Sequence, residues 1–400
     1  MTKRTPRIHT REGHPDFVDL DWTSPIREWT SDRLVEMPEG LHRHEIVFVA
    51  YDEGVYAIKE ILPRLARHEY TMLRTMEGRT RHTATAVGHV ERPWVDDDLD
   101  WAGAVITKYV SHAFPYRHLI SGIGFGERRD ALLDAFAGLL VELHLNGFFW
   151  GDCSLSNVLY RWDASSIEAI MIDAETSEIY DRISGGQRWN DLEIMQLNVA
   201  GEMGDIAAEQ GASLDEADLT LGEEIAGRYR SLWKELTTSL VVTAGDHFRI
   251  RQRIARLHGL GFAVDDIDLI PVDGGTNVKI RVKVGGRQYH SERLREITGM
   301  DISENQARVI LSDLAYHDPK FGGTTATGKN VAAMKWRSTV FEPLIAQIVD
   351  LLPGRDPHQA YCDYLGFRLA MAIDRDADIR NDEAFAAWRD ANFPGLREVV

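Results

Sequence analysis

The sequence predicts an α+β chain, with a two-lobed N-terminal part followed by a smaller α+β and helical C-terminal region. Three observations carry this expectation. Residues 44–50 (HEIVFVA) and 55–60 (VYAIKE) flank an Asp52-Glu53-Gly54 turn and read as a β-hairpin whose second strand ends near a lysine, Lys59. Residues 128–146 set Leu132, Phe136, Leu139, Leu140 and Leu143 on one helical face, and Gly147 follows where a helix-ending glycine belongs. Between residues 149 and 175 (FWGDCSLSNVLYRWDASSIEAIMIDAE), Asp152 is followed five residues later by Asn157. A polar turn and a short apolar strand, 169–172, then deliver a second acid, Asp173.

Composition narrows the function classes. The 400 residues are 44% hydrophobic and 27% charged, as in an ordinary globular protein with room for two or three domains. A net charge of −18 argues against a general affinity for nucleic acid or anionic membrane. Two cysteines, Cys153 and Cys362, make no disulfide framework and fit a reducing compartment. The first ten residues are basic without an apolar core, and no apolar run approaches the roughly 18 residues of a membrane span. The expectation is a cytoplasmic protein without a signal peptide.

Residues 1–30 read as polar and irregular, with Trp22 and Trp29 as candidate docking anchors. Residues 63–76 (PRLARHEYTMLRTM) read as a helix with Pro63 near its start, and Glu69 on it is a candidate ion-pair partner for Lys59; Glu77 competes for that role. Residues 101–110 (WAGAVITKYV) read as a buried strand running into a connector. His144, on the last turn of the 128–146 helix, is expected to pack or cap rather than to catalyse. The segment 188–192 (RWNDL) opens another helix, whose Asp191 either braces the loop of Asp152 or caps the helix.

A carboxylate, an amide at plus five and a second carboxylate at a strand end are what phosphotransferases use to hold a Mg-nucleotide and activate a hydroxyl. In that pattern Asp152 accepts the proton of the attacking hydroxyl, while Asn157 and Asp173 bind magnesium. A plain turn or cap is the competing reading of each residue alone.

The order VYAIK with Lys59, HEYTML with Glu69, GDCSLSN with Asp152 and Asn157, and MIDAE with Asp173 resembles the protein-kinase-like superfamily. It looks closest to the lipopolysaccharide-core (Kdo/heptose) sugar kinase branch. The whole chain resembles an uncharacterised actinobacterial family with a C-terminal domain of unknown function. The resemblance spans about residues 35–210. It implies ATP and Mg²⁺ as cofactors, Lys59 on the α- and β-phosphates, and Thr107 beside a purine pocket edged by backbone groups of Lys108 and Val110. The sequence departs from the family in three places. The glycine-rich loop is missing, with Pro38-Glu39-Gly40 the nearest candidate; Trp150-Gly151 replaces His-Arg; and Ala174-Glu175 replaces Phe-Gly. The missing arginine favours a small-molecule acceptor such as a sugar over a protein.

The implied division is an extension at 1–34, a kinase-like domain at 35–210, an α+β domain of unknown function at 211–320 and a helical region at 321–400. Residues 214–243 read as one long helix or two, and 248–258 as a basic helix. Strands at 267–272 and 278–284 form a hairpin, and further helices lie at 291–298, 303–316 and through 331–395. Residues 247–300 hold ten Lys/Arg against six Asp/Glu, and the helix pair around Gly299 resembles a helix-turn-helix. Acidic residues in its second helix argue against a nucleic-acid partner. The 321–329 stretch (FGGTTATGK) fails the spacing of a phosphate-binding loop and reads as a linker.

Three functions remain in play: an ATP-dependent kinase, a pseudokinase scaffold recruiting a protein partner, and a nucleic-acid-linked regulator using the basic 248–316 region. The sequence leaves the oligomeric state open.

Overall fold

The computed structural model describes residues 4–37, 44–119, 128–211, 216–243, 246–317 and 326–395. Contacts divide the chain into two compact units: residues 1–161 with 168–235, and residues 162–167 with 236–400.

The first unit opens with β1 (Arg7–Thr10), β2 (Leu34–Val35), β3 (Ile46–Tyr51), β4 (Gly54–Ile61), α1 (Pro63–Met76), β5 (Ala86–Glu91) and β6 (Gly103–Lys108). The six strands form one antiparallel sheet ordered β1-β5-β6-β4-β3-β2. The expected hairpin is β3–β4, in register from Ile46 opposite Lys59 to Tyr51 opposite Gly54. Helix α1 starts on Pro63, whose missing N–H costs nothing at a first-turn position.

The N-terminal segment is more ordered than its polar composition suggests. Strand β1 pairs with β5, and Phe17, Leu20, Trp22, Ile26 and Trp29 pack with Val49, Tyr56 and Ile58 of the sheet. The two tryptophans are therefore core residues of this unit. Buried Arg92 pins the segment: it pairs with Glu60 at 2.7 Å and donates to the Trp22 carbonyl at 3.0 Å, while Glu60 accepts from the Ile26 N–H at 3.0 Å.

The second lobe of this unit follows as β7 (Ala113–Pro115), α2 (Arg128–Leu145), β8 (Phe148–Phe149), β9 (Val158–Asp163), β10 (Ser166–Met171), β11 (Glu178–Ile179), α3 (Gly185–Glu209), α4 (Glu216–Leu219) and α5 (Leu221–Thr237). Helix α2 is buried along most of its length, so it is a central helix rather than a surface one. Gly147 ends it at φ +79°, where a Cβ would lie 2.0 Å from the Tyr180 carbonyl oxygen; only glycine fits. Helix α3 starts at Gly185, six residues before Asp191, because Ser184 and Gln187 form a reciprocal capping box. Asp191 is thus not its cap.

The second unit contains β12 (Leu240–Thr243), α6 (His247–Gly259), β13 (Val264–Val272), β14 (Asn277–Val284), α7 (Tyr289–Thr298), α8 (Glu304–His317), α9 (Ala326–Trp336), α10 (Glu342–Leu351), α11 (Pro357–Arg375) and α12 (Asn381–Asp390). The helix expected across 214–243 stops at Thr237. Residues 240–243 (LVVT) form instead an edge strand in a sheet ordered β12-β14-β13, as β-branched residues favour. Leu294, Ile310, Trp336, Phe341, Tyr361, Tyr364 and Trp388 belong to the helical core. Within it the buried Asp313 carboxylate accepts from Trp336 Nε1 at 3.0 Å, Tyr361 Oη at 2.8 Å and Arg368 at 2.8 Å.

The helix pair around Gly299 is a packing unit. In α8, Glu304, Gln306, Ala307 and Ile310 are buried, and Glu304 accepts from the backbone N–H of His290 and Ser291, both at 2.9 Å. The glycine-loop candidate 38–40 and most of the 321–329 stretch lie outside the described residues. No helix of the described residues is long and apolar enough to cross a membrane.

Candidate active site

The site forms where β4, α1, the 150–157 loop, the end of β10 and α3 meet, all in the first unit. Lys59 stands on β4, one residue from buried Ile58, and its ammonium lies 2.8 Å from Glu69 of α1 and 2.8 Å from Asp173 after β10. Burial opposes the lysine's charge, but the two carboxylates outweigh it and hold the group above its ordinary value. Burial pushes the Glu69 carboxyl up, and Lys59 pulls against that rise. Glu77 is not part of this cluster; it pairs with Arg11 at 2.8 Å.

Asp152 is held from two sides. Asn157 Nδ2 donates to its carbonyl at 3.0 Å and its carboxylate at 3.2 Å, and Asn198 Nδ2 of α3 donates to its other carboxylate oxygen at 3.0 Å. Asp173 is fixed by the Glu175 N–H, which donates to Oδ1 at 3.0 Å, and by Trp150 Nε1, which donates to its carbonyl at 3.1 Å. Gly151 stands at φ +79°, and a Cβ there would lie 2.9 Å from the Thr176 carbonyl oxygen, so the turn before Asp152 requires glycine.

The loop is braced from below by Asp191. Its carboxylate accepts from the backbone N–H of Trp150 at 2.9 Å and of Gly151 at 2.8 Å, and His144 Nε2 lies 3.0 Å away. Burial lowers the His144 pKa, and Tyr229 Oη meets its other nitrogen at 2.7 Å, so His144 packs rather than catalyses. Glu202, one turn beyond Asn198, accepts from the N–H of Leu155 at 2.9 Å and of Ser156 at 2.8 Å. Burial raises its carboxyl pKa.

A cavity of about 380 Å³ opens onto these groups and is lined by Lys59, Asp152, Asn157, Asp173, Asn198 and Glu202 among others. Its oxygen donors, the Asp173 carboxylate and the Asn157 amide oxygen, are hard ligands of the kind magnesium takes. The amide nitrogen of Asn157 is already spent on Asp152, which leaves its oxygen as the ligating end. Among the described residues, Glu69, Asp173 and Glu175 also bring carboxylate oxygens within 4.8 Å of one another around Lys59.

Of the residues singled out from sequence, Lys59, Glu69, Asp152, Asn157 and Asp173 come together. Thr107, Lys108 and Val110 are not among the residues lining this cavity. The Lys108 N–H donates to the Thr85 carbonyl at 2.9 Å, and Thr107 pairs across the sheet with Ala57 and Ala86. Sequence reasoning missed Asn198 and Glu202. The signal was available in their spacing of seven and eleven residues from Asp191, which keeps all three on one helical face.

Comparison with known proteins adds a domain and two distant likenesses. Residues 231–393 match the family model described as a domain of unknown function, DUF4032. No curated protein matches. Among solved structures, the chain is similar to WaaP in complex with acyl carrier protein, at 17% identity over 57% of this chain and 88% of that one, with a TM-score of 0.32. It is also similar to the Rio2 kinase in an ADP/Mg²⁺-phosphoaspartate complex from Chaetomium thermophilum, at 16% identity over 51% of this chain and 70% of that one, with a TM-score of 0.31. Such scores carry no argument about this chain's chemistry, which rests on its own side chains.

Proposed function

We propose that this chain is a Mg-ATP-dependent phosphotransferase acting on the hydroxyl of a small molecule, with a sugar the first class to test. The observation that supports it is the convergence of Lys59, Asp152, Asn157 and Asp173 on one cavity, from positions up to 114 residues apart, with buried Glu69 paired to Lys59 behind it. Kinase-type chemistry needs those five groups and little covalent participation from the protein.

In this reading Glu69 holds Lys59 toward the α- and β-phosphates. Asp173 and Asn157 hold the magnesium, which supplies charge neutralisation at the transferred phosphoryl group. Asp152 receives the acceptor's proton, and its two amide donors fix the carboxylate in one rotamer. Asp191 and Glu202 keep the loop backbone in place beneath it.

Asp152→Asn is expected to keep Mg-ATP affinity and lose about 10²–10⁴-fold in phosphoryl transfer, the range for a general base. Transfer to an acceptor panel, read as ADP release, tests this; unchanged turnover would remove Asp152 from the mechanism.

A second reading has its own support. Lys59 sits directly on Asp173, and the sequence has no glycine-rich loop to cover a nucleotide. A nucleotide-binding scaffold that recruits a protein partner without transfer fits those two facts. It predicts Mg-ATP binding with no ADP release for any acceptor.

A further inference from the structure

In the sheet order β6-β4-β3-β2, strand β3 begins beside the lysine strand, because Ile46 at its start pairs with Lys59. A phosphate-covering glycine loop would precede β3 in the chain, and none is in the sequence. What stands two residues before β3 is His44, which lines the same cavity as Lys59, Asp152, Asn157 and Asp173. Its side chain is only 13% exposed; Nε2 faces the Glu175 carboxylate, and Nδ1 has no hydrogen-bond partner among the described residues. A buried polar group left in that state costs about 1–3 kcal/mol.

Glu175 lies behind the ring. Its Oε2 is 3.2 Å from His44 Nε2 and 4.0 Å from Lys59 Nζ, so one carboxylate faces both side chains. The next acid, the more exposed Asp100, is 3.9 Å from Nδ1. A carboxylate beside an imidazole sets which nitrogen carries the proton and how the ring is turned.

We propose that His44, oriented by Glu175, contacts the terminal phosphates of the nucleotide and takes over the covering role of the absent glycine loop. The proposal rests on the phosphotransferase reading. His44 is the phosphate-contacting residue. Glu175, two residues after the metal-binding Asp173, is a positioning residue that couples His44 to Lys59. The Ala174-Glu175 pair then has a use that a glycine at position 175 would not supply.

The test is calorimetric, on the full chain, with Mg-ATP and with adenosine as the two probes. His44→Ala is expected to weaken Mg-ATP binding about tenfold, roughly the value of one hydrogen bond to a charged group, while adenosine affinity stays within twofold. His44→Gln, which keeps one N–H donor, is expected to recover part of the loss, and Glu175→Gln to give an intermediate one. Mg-ATP affinity within twofold of wild type in His44→Ala overturns the proposal. So does a parallel loss of adenosine, which would mark a folding role. Wild type that fails to bind Mg-ATP overturns the phosphotransferase reading and this proposal with it.

Discussion

Asp191 shows how the chemistry is held in place at the scale of single residues. Its carboxylate is fully buried and is met by two loop N–H groups and His144, so it is satisfied where an unpaired charge would be prohibitive. Asp191→Ala leaves two buried N–H donors unmet and is expected to cost about 3 kcal/mol in denaturant unfolding, with loss of activity beyond what stability explains. A cost under about 1 kcal/mol would show that the loop does not depend on the brace. The sequence singled out Asp191, Lys59, Glu69, Asp152, Asn157 and Asp173 because each sits at a spacing the chemistry demands. His44 and Glu175 were not legible, since their pairing joins residues 131 apart in the chain and follows no spacing rule.

At the scale of elements, one buried charge cluster ties the lobes of the first unit together. His82, after α1, lies 2.7 Å from Glu142 of α2 and 3.4 Å from Glu168 of β10, and Glu168 pairs with Arg161 of β9. Burial opposes the imidazolium, but the two carboxylates overcome it and raise the His82 pKa to about 10. Burial likewise opposes ionised Glu168, and Arg161 and His82 lower its pKa to about 2. The signs follow from linkage. The His82 contribution is complete below pH 6.5 and is lost as pH rises toward 10; the Glu168 contribution is complete above pH 4.5 and is lost as pH falls toward 2. Stability measured by urea unfolding is therefore expected to decline from pH 6.5 to 10, and His82→Gln to flatten that decline. An unchanged profile in the variant would take His82 out of the account. Helices α1, α2, α7 and α8 were readable from apolar period and end residues. The cluster and strand β12 were not, because charged residues brought into a core and a four-residue edge strand leave no periodic signal.

At the scale of the whole molecule, the two units are not consecutive in sequence. Residues 162–167, the end of β9, the turn after it and the start of β10, belong with 236–400. There Asp163 accepts from Ser303 Oγ at 2.7 Å, the Asn305 N–H at 2.9 Å and the Gln306 N–H at 2.7 Å, which caps α8 from a distant part of the chain. Gln359 adds a bond each way with Ala164, at 2.8 and 3.0 Å. A fragment of residues 236–400 alone lacks this cap. It is expected to show weaker amide protection in α8 than the full chain, and Asp163→Ala in the full chain to cost about 1–2 kcal/mol. Equal protection in the fragment would contradict that. The α+β class was legible because the 44–60 hairpin, the 128–146 apolar helix and the hairpin-plus-helix tail each carry a periodic signal. The interleaving was not, because it rests on six residues around the Ala164-Ser165 turn, which reads as a surface loop.

The central claim is that Asp173 and its neighbours form a working metal-nucleotide site. Calorimetric titration with ATP, with and without Mg²⁺, on wild type and Asp173→Asn tests it most directly. The expected result is Mg-dependent binding in wild type that is lost in the variant. Binding that is absent in both proteins, or equal in both, would contradict the account.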